Sequence, residues 1–219
     1  MNEHGSDRVK RKPKELKKTF YIKYVKRILD IMLSAAGLIL LSPVYLISTA
    51  AIRVDSEGPI IFRQKRFGKD KKFFMIYKFR TMRTDAPQNV PTHLMGDPEQ
   101  WLTGVGRVLR RTSIDELPQL WNILKGDMSI IGPRPALWNQ EDLIAERDKY
   151  DANSVLPGLT GWAQINGRDE LPISEKARMD GEYVRKLSFI MDLKCFLGTI
   201  SCVLTGQGIK KGNNGSSKQ

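Results

Sequence analysis

From Ile31 to Ile52 the chain carries no charged residue, and most of these positions are apolar. A helix of roughly 20 apolar residues is what a hydrocarbon layer of roughly 30 Å requires. Three readings fit such a run. A cleaved signal peptide is disfavoured, because the basic leader and the apolar run are both too long and no clear cleavage site follows. A helix that spans the membrane is the plain alternative. The third reading is a helix that enters the bilayer, bends and returns on the same side. Pro43 favours it, since a mid-helix proline removes a hydrogen bond and pushes Ser42 away from α geometry. Each half, such as Ile31 to Leu41, is then about 16 Å long, at roughly 1.5 Å per residue. Both flanks are basic: Lys17, Lys18, Lys23, Lys26 and Arg27 before the run, and Arg53, Arg63, Lys65, Arg66, Lys69, Lys71 and Lys72 after it. Spanning would put one flank on the wrong side, whereas re-entry keeps both in the cytoplasm. Asp30 stands at helical spacing from Lys26 and Arg27, so an ion pair is expected at the entry point.

Beyond this run the periodicity changes. Pro59 to Arg63 and Lys72 to Met82 have β-branched and aromatic residues between basic turns and predict short strands. Asp85 to Gln100 contains three prolines and little periodicity, which predicts a surface loop. Helical patterns cover Gln119 to Lys125, Asn139 to Tyr150 and Ser174 to Arg185, followed by an apolar stripe through Phe189, Leu193, Phe196, Leu197, Ile200 and Leu204. That stripe is either core or a second membrane-facing surface. The pattern predicts an α+β fold, mostly helical.

Charge narrows the partners. Lys and Arg total 36 against 24 acidic residues, a net charge of +12, so an anionic lipid, a phosphorylated substrate or nucleic acid is implied. Nucleic acid is disfavoured, because no groove-reading motif and no aromatics interleaved with Lys and Arg are found. The two cysteines, Cys195 and Cys202, fall seven apart in a helical pattern, which suits small hydrophobes on one helix face better than a disulfide. His4 and His93 lack neighbours at zinc spacing. Any metal is expected to be a hard ion held by carboxylates.

The densest chemistry runs from Arg110 to Arg134. Ser113 and Glu116 fit a capping box, but that placement would put Pro118 where its missing N–H is needed. Pro118 is better as the first helical residue, with Gly126 as a left-handed cap after Lys125. Asp115 and Glu116 then precede the positive end of a helix, a location that favours carboxylates and phosphate alike. With Arg110, Arg111 and the Gly132-Pro133-Arg134-Pro135 turn nearby, carboxylates holding a divalent ion and arginines clamping phosphate become plausible chemistry. Gly158, Gly161 and Gly167 match no P-loop and are expected in turns. Trp162 is expected to pack.

Four stretches, Tyr77-Lys78-Phe79-Arg80-Thr81-Met82, Thr112 to Leu120 (TSIDELPQL), Gly126 to Pro135 (GDMSIIGPRP) and Pro157 to Arg168 (PGLTGWAQINGR), resemble the successive signatures of the bacterial sugar transferase family, the monotopic phosphoglycosyltransferases. The resemblance covers about Tyr24 to Leu204. It implies a re-entrant membrane helix broken at Ser42-Pro43 and an Asp115-Glu116 dyad working with Mg2+. It also implies that Asp115 is the nucleophile on the sugar-bearing phosphate and that Glu116, together with Asp115, holds the metal. Arg110 and Arg134 would bind phosphate or orient the dyad, and Lys78, Arg80, Gln164, Asn166 and Arg168 would line the site. Asp169-Glu170 after Arg168 departs from the family pattern.

The resulting expectation is a basic extension over 1–22, a re-entrant membrane helix over 23–54, one catalytic domain over 55–205 and a flexible tail over 206–219, like the small, core-only members of the family. The expected function is transfer of a phosphosugar from a UDP-sugar to polyprenyl (undecaprenyl) phosphate at the cytoplasmic face of the inner membrane, with release of UMP. Membrane lipid is a partner, and a homo-oligomer is left open. A membrane-anchored scaffold with a degenerate site is the alternative, and the joint presence of Asp115, Glu116, Arg110 and Arg134 argues against it.

Overall fold

The computed structural model describes residues 19–87, 97–167 and 171–205, with side chains to residue 202. The expected uncharged run is two helices. A π-helical turn over Tyr21–Val25 leads into α1 (Lys26–Leu40), and α2 (Ser42–Asp55) follows at a bend of 59°. No single described helix is long and apolar enough to cross a membrane, although the bent pair together is. The break falls at Leu41 (φ −92°, ψ 7°), while Ser42 and Pro43 start α2. The expected distortion of Ser42 is thus displaced by one residue. Proline is tolerated in the first turn of a helix, and the collision of its ring with the carbonyl four residues back is relieved by the turn at Leu41.

Apart from Ile52, which joins the core, the burial pattern of α1 and α2 is inverted relative to an ordinary core helix. Asp30, Ser34 and Ser48 are buried, whereas Met32, Leu33, Ile39, Leu40, Leu46 and Ile47 are exposed. Ser34 and Asp30 both have hydrogen-bond partners. Ser34 Oγ donates to the Ile31 carbonyl. The expected pairing of Asp30 with Lys26 or Arg27 is met only at a distance: the Lys26 charge favours the ionised Asp30, but the contacts of Asp30 Oδ1 are with Ser129 Oγ (3.1 Å) and the Ile130 N–H (2.9 Å), from which it accepts. Arg27 reaches the carbonyls of Ile123 and Leu124 at the end of the helix over Gln119–Lys125, and Lys26 pairs with Asp192 at 2.6 Å. A basic side chain at a helix C-terminus satisfies carbonyls that have no partner within the helix.

The expected strands form an antiparallel hairpin, β1 (Ile61–Phe67) and β2 (Phe73–Phe79), with Phe62 opposite Lys78, Gln64 opposite Ile76 and Arg66 opposite Phe74. Since alternate side chains share a face, these six form one face of the hairpin, the one turned inward. The structure adds α3 (Gly104–Arg111), which no periodicity predicted. α4 (Gln119–Lys125) starts after Pro118 and ends on Gly126 at φ 97°, as expected.

Two short strands, β3 (Ser129–Ile131) and β4 (Gly158–Thr160), pair in parallel. Helix α5 (Glu141–Asp148) lies between them, and α6 (Trp162–Ile165), α7 (Ile173–Arg185) and α8 (Phe189–Thr205) follow. Gly132 packs so tightly on Gly158 and Gly161 that a Cβ at Gly158 would stand 2.1 Å from the Gly132 nitrogen. These glycines therefore serve close backbone approach.

Of the four apolar clusters among the described residues, three bear on the site. Ile76, Leu120, Ile123 and Met128 join β2 to α4, with Leu38 and Leu41 of the bent pair packed on them. Ile131, Tyr183, Val184, Leu187, Met191 and Cys195 join β3, α7 and α8, with Trp162 packed alongside, as expected for that residue. Ile52, Phe79 and Leu109 lie under the Asp115 turn. Each such side chain contributes about 1.5–3 kcal/mol by leaving water. On α8 the inward residues are Met191 and Cys195, while Phe189, Leu193, Phe196, Leu197 and Ile200 are exposed, so that stripe is not core.

Candidate active site

Asp115 and Glu116 lie on a short 3-10 turn, Ile114–Glu116, entered through Ser113 in the left-handed region (φ 58°) and without a side-chain cap. The capping-box alternative therefore does not form. Ile114 and Leu117, which flank the two acids, pack on the cluster of Ile52, Phe79 and Leu109. Burial of these neighbours fixes which way the carboxylates face.

The two acids have different surroundings. Glu116 Oε1 accepts from Lys78 Nζ (2.7 Å) and Arg134 Nη2 (2.9 Å). Burial alone would raise its pKa, but the ammonium and guanidinium outweigh that and hold it well below the usual carboxylate range. Asp115 is 6% exposed. Its pKa is raised above the ordinary carboxylate value, by burial first; Lys78 offsets part of the rise, Glu116 adds to it, and Arg110 and Arg134 offset a little more. Among the described residues Asp115 accepts no hydrogen bond. One acid is thus neutralised by two cations, and its neighbour is left available.

Each cation is positioned from elsewhere. Lys78 sits on the inward face of β2, and burial lowers its pKa while Glu116 and Asp115 raise it. The edge of β2 is closed by Asn122 of α4, whose amide accepts from the Tyr77 N–H (3.0 Å) and donates to the Met75 carbonyl (2.8 Å). Arg134 follows β3 on a turn held by Arg147, which donates to the Arg134 carbonyl (2.9 Å) and to Asp180 Oδ2 (2.6 Å). Arg110 lies in the last turn of α3 and acts on Asp115 through its charge.

Not every expected residue joins this group. Arg80 is a correction: its Nε, Nη1 and Nη2 donate to the carbonyls of Pro59, Glu57 and Ser56, so it builds the corner between α2 and β1 instead of lining the site. Asn166 is exposed and donates to the Trp162 carbonyl. Gln164 lies beside Gly161, and its buried amide nitrogen and oxygen meet no partner among the described residues. Arg168 lies outside the described residues.

Arg66, read from the sequence as part of a basic flank, is instead on the inward face of β1 and donates to the Pro135 carbonyl at 3.0 Å. Its phase in the alternation with Phe62 and Gln64 is the signal that could have found it. Gln119, Asn122 and Arg147 carry no such signal, since each looks like an ordinary helix residue.

No cluster of three or more metal-binding side chains occurs among the described residues. The adjacent carboxylates of Asp115 and Glu116 are nonetheless a hard-oxygen donor set. They suit magnesium, which binds through one or two carboxylates and completes its shell with phosphate and water.

Comparison with known proteins identifies the family. A family model described as bacterial sugar transferase matches residues 21–206. The chain is 40% identical over 190 residues to the sugar transferase EpsL of Bacillus subtilis, covering 87% of this chain and 92% of that one. It is 38% identical to the exopolysaccharide production protein PSS of Rhizobium leguminosarum bv. phaseoli, over 84% of this chain and 98% of the relative. It is also 43% identical to the UDP-glucose:undecaprenyl-phosphate glucose-1-phosphate transferase of Escherichia coli, over 80% of this chain and 39% of that longer protein. With a family model matched over most of its length and a dyad of unequal carboxylates at its centre, the chain belongs to the bacterial sugar transferase family.

Proposed function

We propose that this protein transfers a phosphosugar from a UDP-sugar to a polyprenyl phosphate such as undecaprenyl phosphate, releasing UMP and initiating synthesis of a glycoconjugate such as an exopolysaccharide. The observation that carries the reading is the inequality of the dyad: Glu116 bound by Lys78 and Arg134, Asp115 buried beside it and accepting no hydrogen bond among the described residues. A carboxylate without hydrogen bonds in a cationic pocket is a nucleophile for an anionic electrophile.

In the first step a carboxylate oxygen of Asp115 attacks the sugar-bearing phosphorus, the bond to the UMP oxygen breaks, and UMP leaves with the electron pair. Arg134, Lys78 and Arg110 offset charge on the phosphate oxygens. In the second step an oxygen of the polyprenyl phosphate attacks the same phosphorus, and Asp115 leaves as a free carboxylate. Splitting the transfer avoids assembling the donor and the acceptor phosphate in one cationic pocket at once. Magnesium held by Asp115 and Glu116 would supply Lewis-acid neutralisation of the phosphate oxygens.

The bent pair supports a membrane role for the same chain. Its outward face is apolar, and inward Asp30 and Ser34 are hydrogen-bonded, as hydrocarbon surroundings demand. In this reading α1 and α2 enter the cytoplasmic leaflet and return. Purified protein with lipid acceptor should release UMP from one member of a UDP-sugar panel, lose this activity in EDTA and regain it with magnesium. No release from any donor, or undiminished release in excess EDTA, contradicts the proposal.

A further inference from the structure

Beside Glu116 lies a cavity of about 10 Å³ lined by Arg66, Ile76, Lys78, Gln119, Arg134 and Pro135, enough for a single oxygen atom. Two of its walls present donors without acceptors. Gln119 is 2% exposed, and its Nε2 is buried with no partner among the described residues. Arg66 donates from Nη1 to the Pro135 carbonyl and from Nη2 to Gln64 Oε1, yet its buried Nε likewise meets none. Buried donors are nearly always satisfied, so two unpartnered donors on one small cavity call for an acceptor.

Charge says which kind. Arg66, Lys78 and Arg134 stand around it, and the carboxylate that Lys78 and Arg134 bind is Glu116. Burial and the neighbouring Arg134 pull the Arg66 pKa down to about 9, with Glu116 opposing them. The lining itself carries three cations and no carboxylate, so an anionic oxygen gains more there than a neutral water does.

We propose that this cavity is an oxyanion pocket that takes one oxygen of a phosphate group, with Arg66 Nε and Gln119 Nε2 as its donors. It deepens the transfer reading and rests on it only for the phosphate's source, which is the nucleotide-sugar, the lipid phosphate or free phosphate. Arg66 and Gln119 thereby become phosphate-binding residues of the site. Gln119 Nε2 has no partner among the described residues, so Gln119→Leu removes a donor without breaking a bond to it, and an unchanged unfolding temperature is expected.

The test is a calorimetric titration of the full chain in detergent with inorganic phosphate, using wild type, Gln119→Leu and Arg66→Met, with thermal unfolding alongside. Saturable binding by wild type, weakened about tenfold in Gln119→Leu at unchanged unfolding temperature, is expected. If Arg66→Met fails to fold, Gln119→Leu decides. In turnover assays, a raised KM for the UDP-sugar assigns the oxygen to the donor and a raised KM for the lipid assigns it to the acceptor; both support the pocket. Absence of saturable phosphate binding by wild type, or equal affinity in wild type and Gln119→Leu, overturns it. Failure of wild type to release UMP counts against the transfer reading alone, since the titration needs no turnover.

Discussion

Tyr45, on the second arm of the bent helix pair, donates its hydroxyl to the carbonyl of Leu117 at 2.6 Å, one residue past Glu116. The same ring packs on Phe79 at 5.5 Å between centroids. The arm proposed to lie in the bilayer is therefore bonded directly to the turn that carries the dyad. Tyr45→Phe keeps the ring and removes the bond, and is expected to cost about 1 kcal/mol. Turnover should fall more than stability alone explains. Denaturation midpoints and UMP release, compared in the same preparation, check this; unchanged turnover would separate the helix pair from the dyad.

Lys78 and Arg134 share one oxygen of Glu116. Lys78→Met keeps the length of the side chain and removes its charge beside both acids. Loss of one preorganised charge at a reacting phosphate is expected to lower turnover about 10²-fold or more. Circular dichroism should show the fold retained. Wild-type turnover in this variant would remove Lys78 from the site.

Arg147 and Asp180 form a buried ion pair, with side chains 4% and 1% exposed, and Arg147 also holds the Arg134 carbonyl. Asp180→Ala leaves an uncompensated buried guanidinium, at an expected cost of about 3–5 kcal/mol. Thermal unfolding reads the loss directly, and a shift indistinguishable from wild type would show that the pair does not form.

Topology is open to a labelling test, because Cys195 is buried and its thiol is pushed up to about 12 by burial, Asp192 adding to the rise. It should stay silent to maleimide near neutral pH. With Cys202→Ser, single cysteines at Thr19 and Lys69, before and after the bent pair, should both be protected from an impermeant reagent in intact cells. Labelling of the Thr19 position from outside would mean that the pair spans.

The sequence made local chemistry legible and long-range chemistry opaque. Pro118 and Gly126 delimit α4 because both act through their own backbone, so the dyad could be placed before that helix from spacing alone. Pro43 likewise marked the bend, though the relief of its clash moved the break to Leu41. Asp30 feels the charge of Lys26 but makes no ion pair with it, because Lys26 and Arg27 are claimed by Asp192 and by the end of α4. Arg80 was misassigned because its motif gives no hint of the carbonyls of Ser56, Glu57 and Pro59. The parallel pair β3 and β4 has three residues per strand, too few to show a period. On α8 the apolar residues run around much of the helix, so periodicity alone could not tell which face Met191 and Cys195 would bury.

The central claim is that Asp115 becomes covalently bound to the phosphosugar. Asp115→Asn should stop turnover whether the residue is a nucleophile or a general base, so that loss decides nothing. Intact-protein mass spectrometry after incubation with the accepted UDP-sugar and magnesium, without lipid acceptor, tests the claim directly. The account predicts UMP release together with a mass increase of one phosphosugar, mapped to Asp115 and discharged on adding polyprenyl phosphate. Wild-type protein that turns over with lipid present, yet releases no UMP and gains no mass without it, would contradict the covalent role.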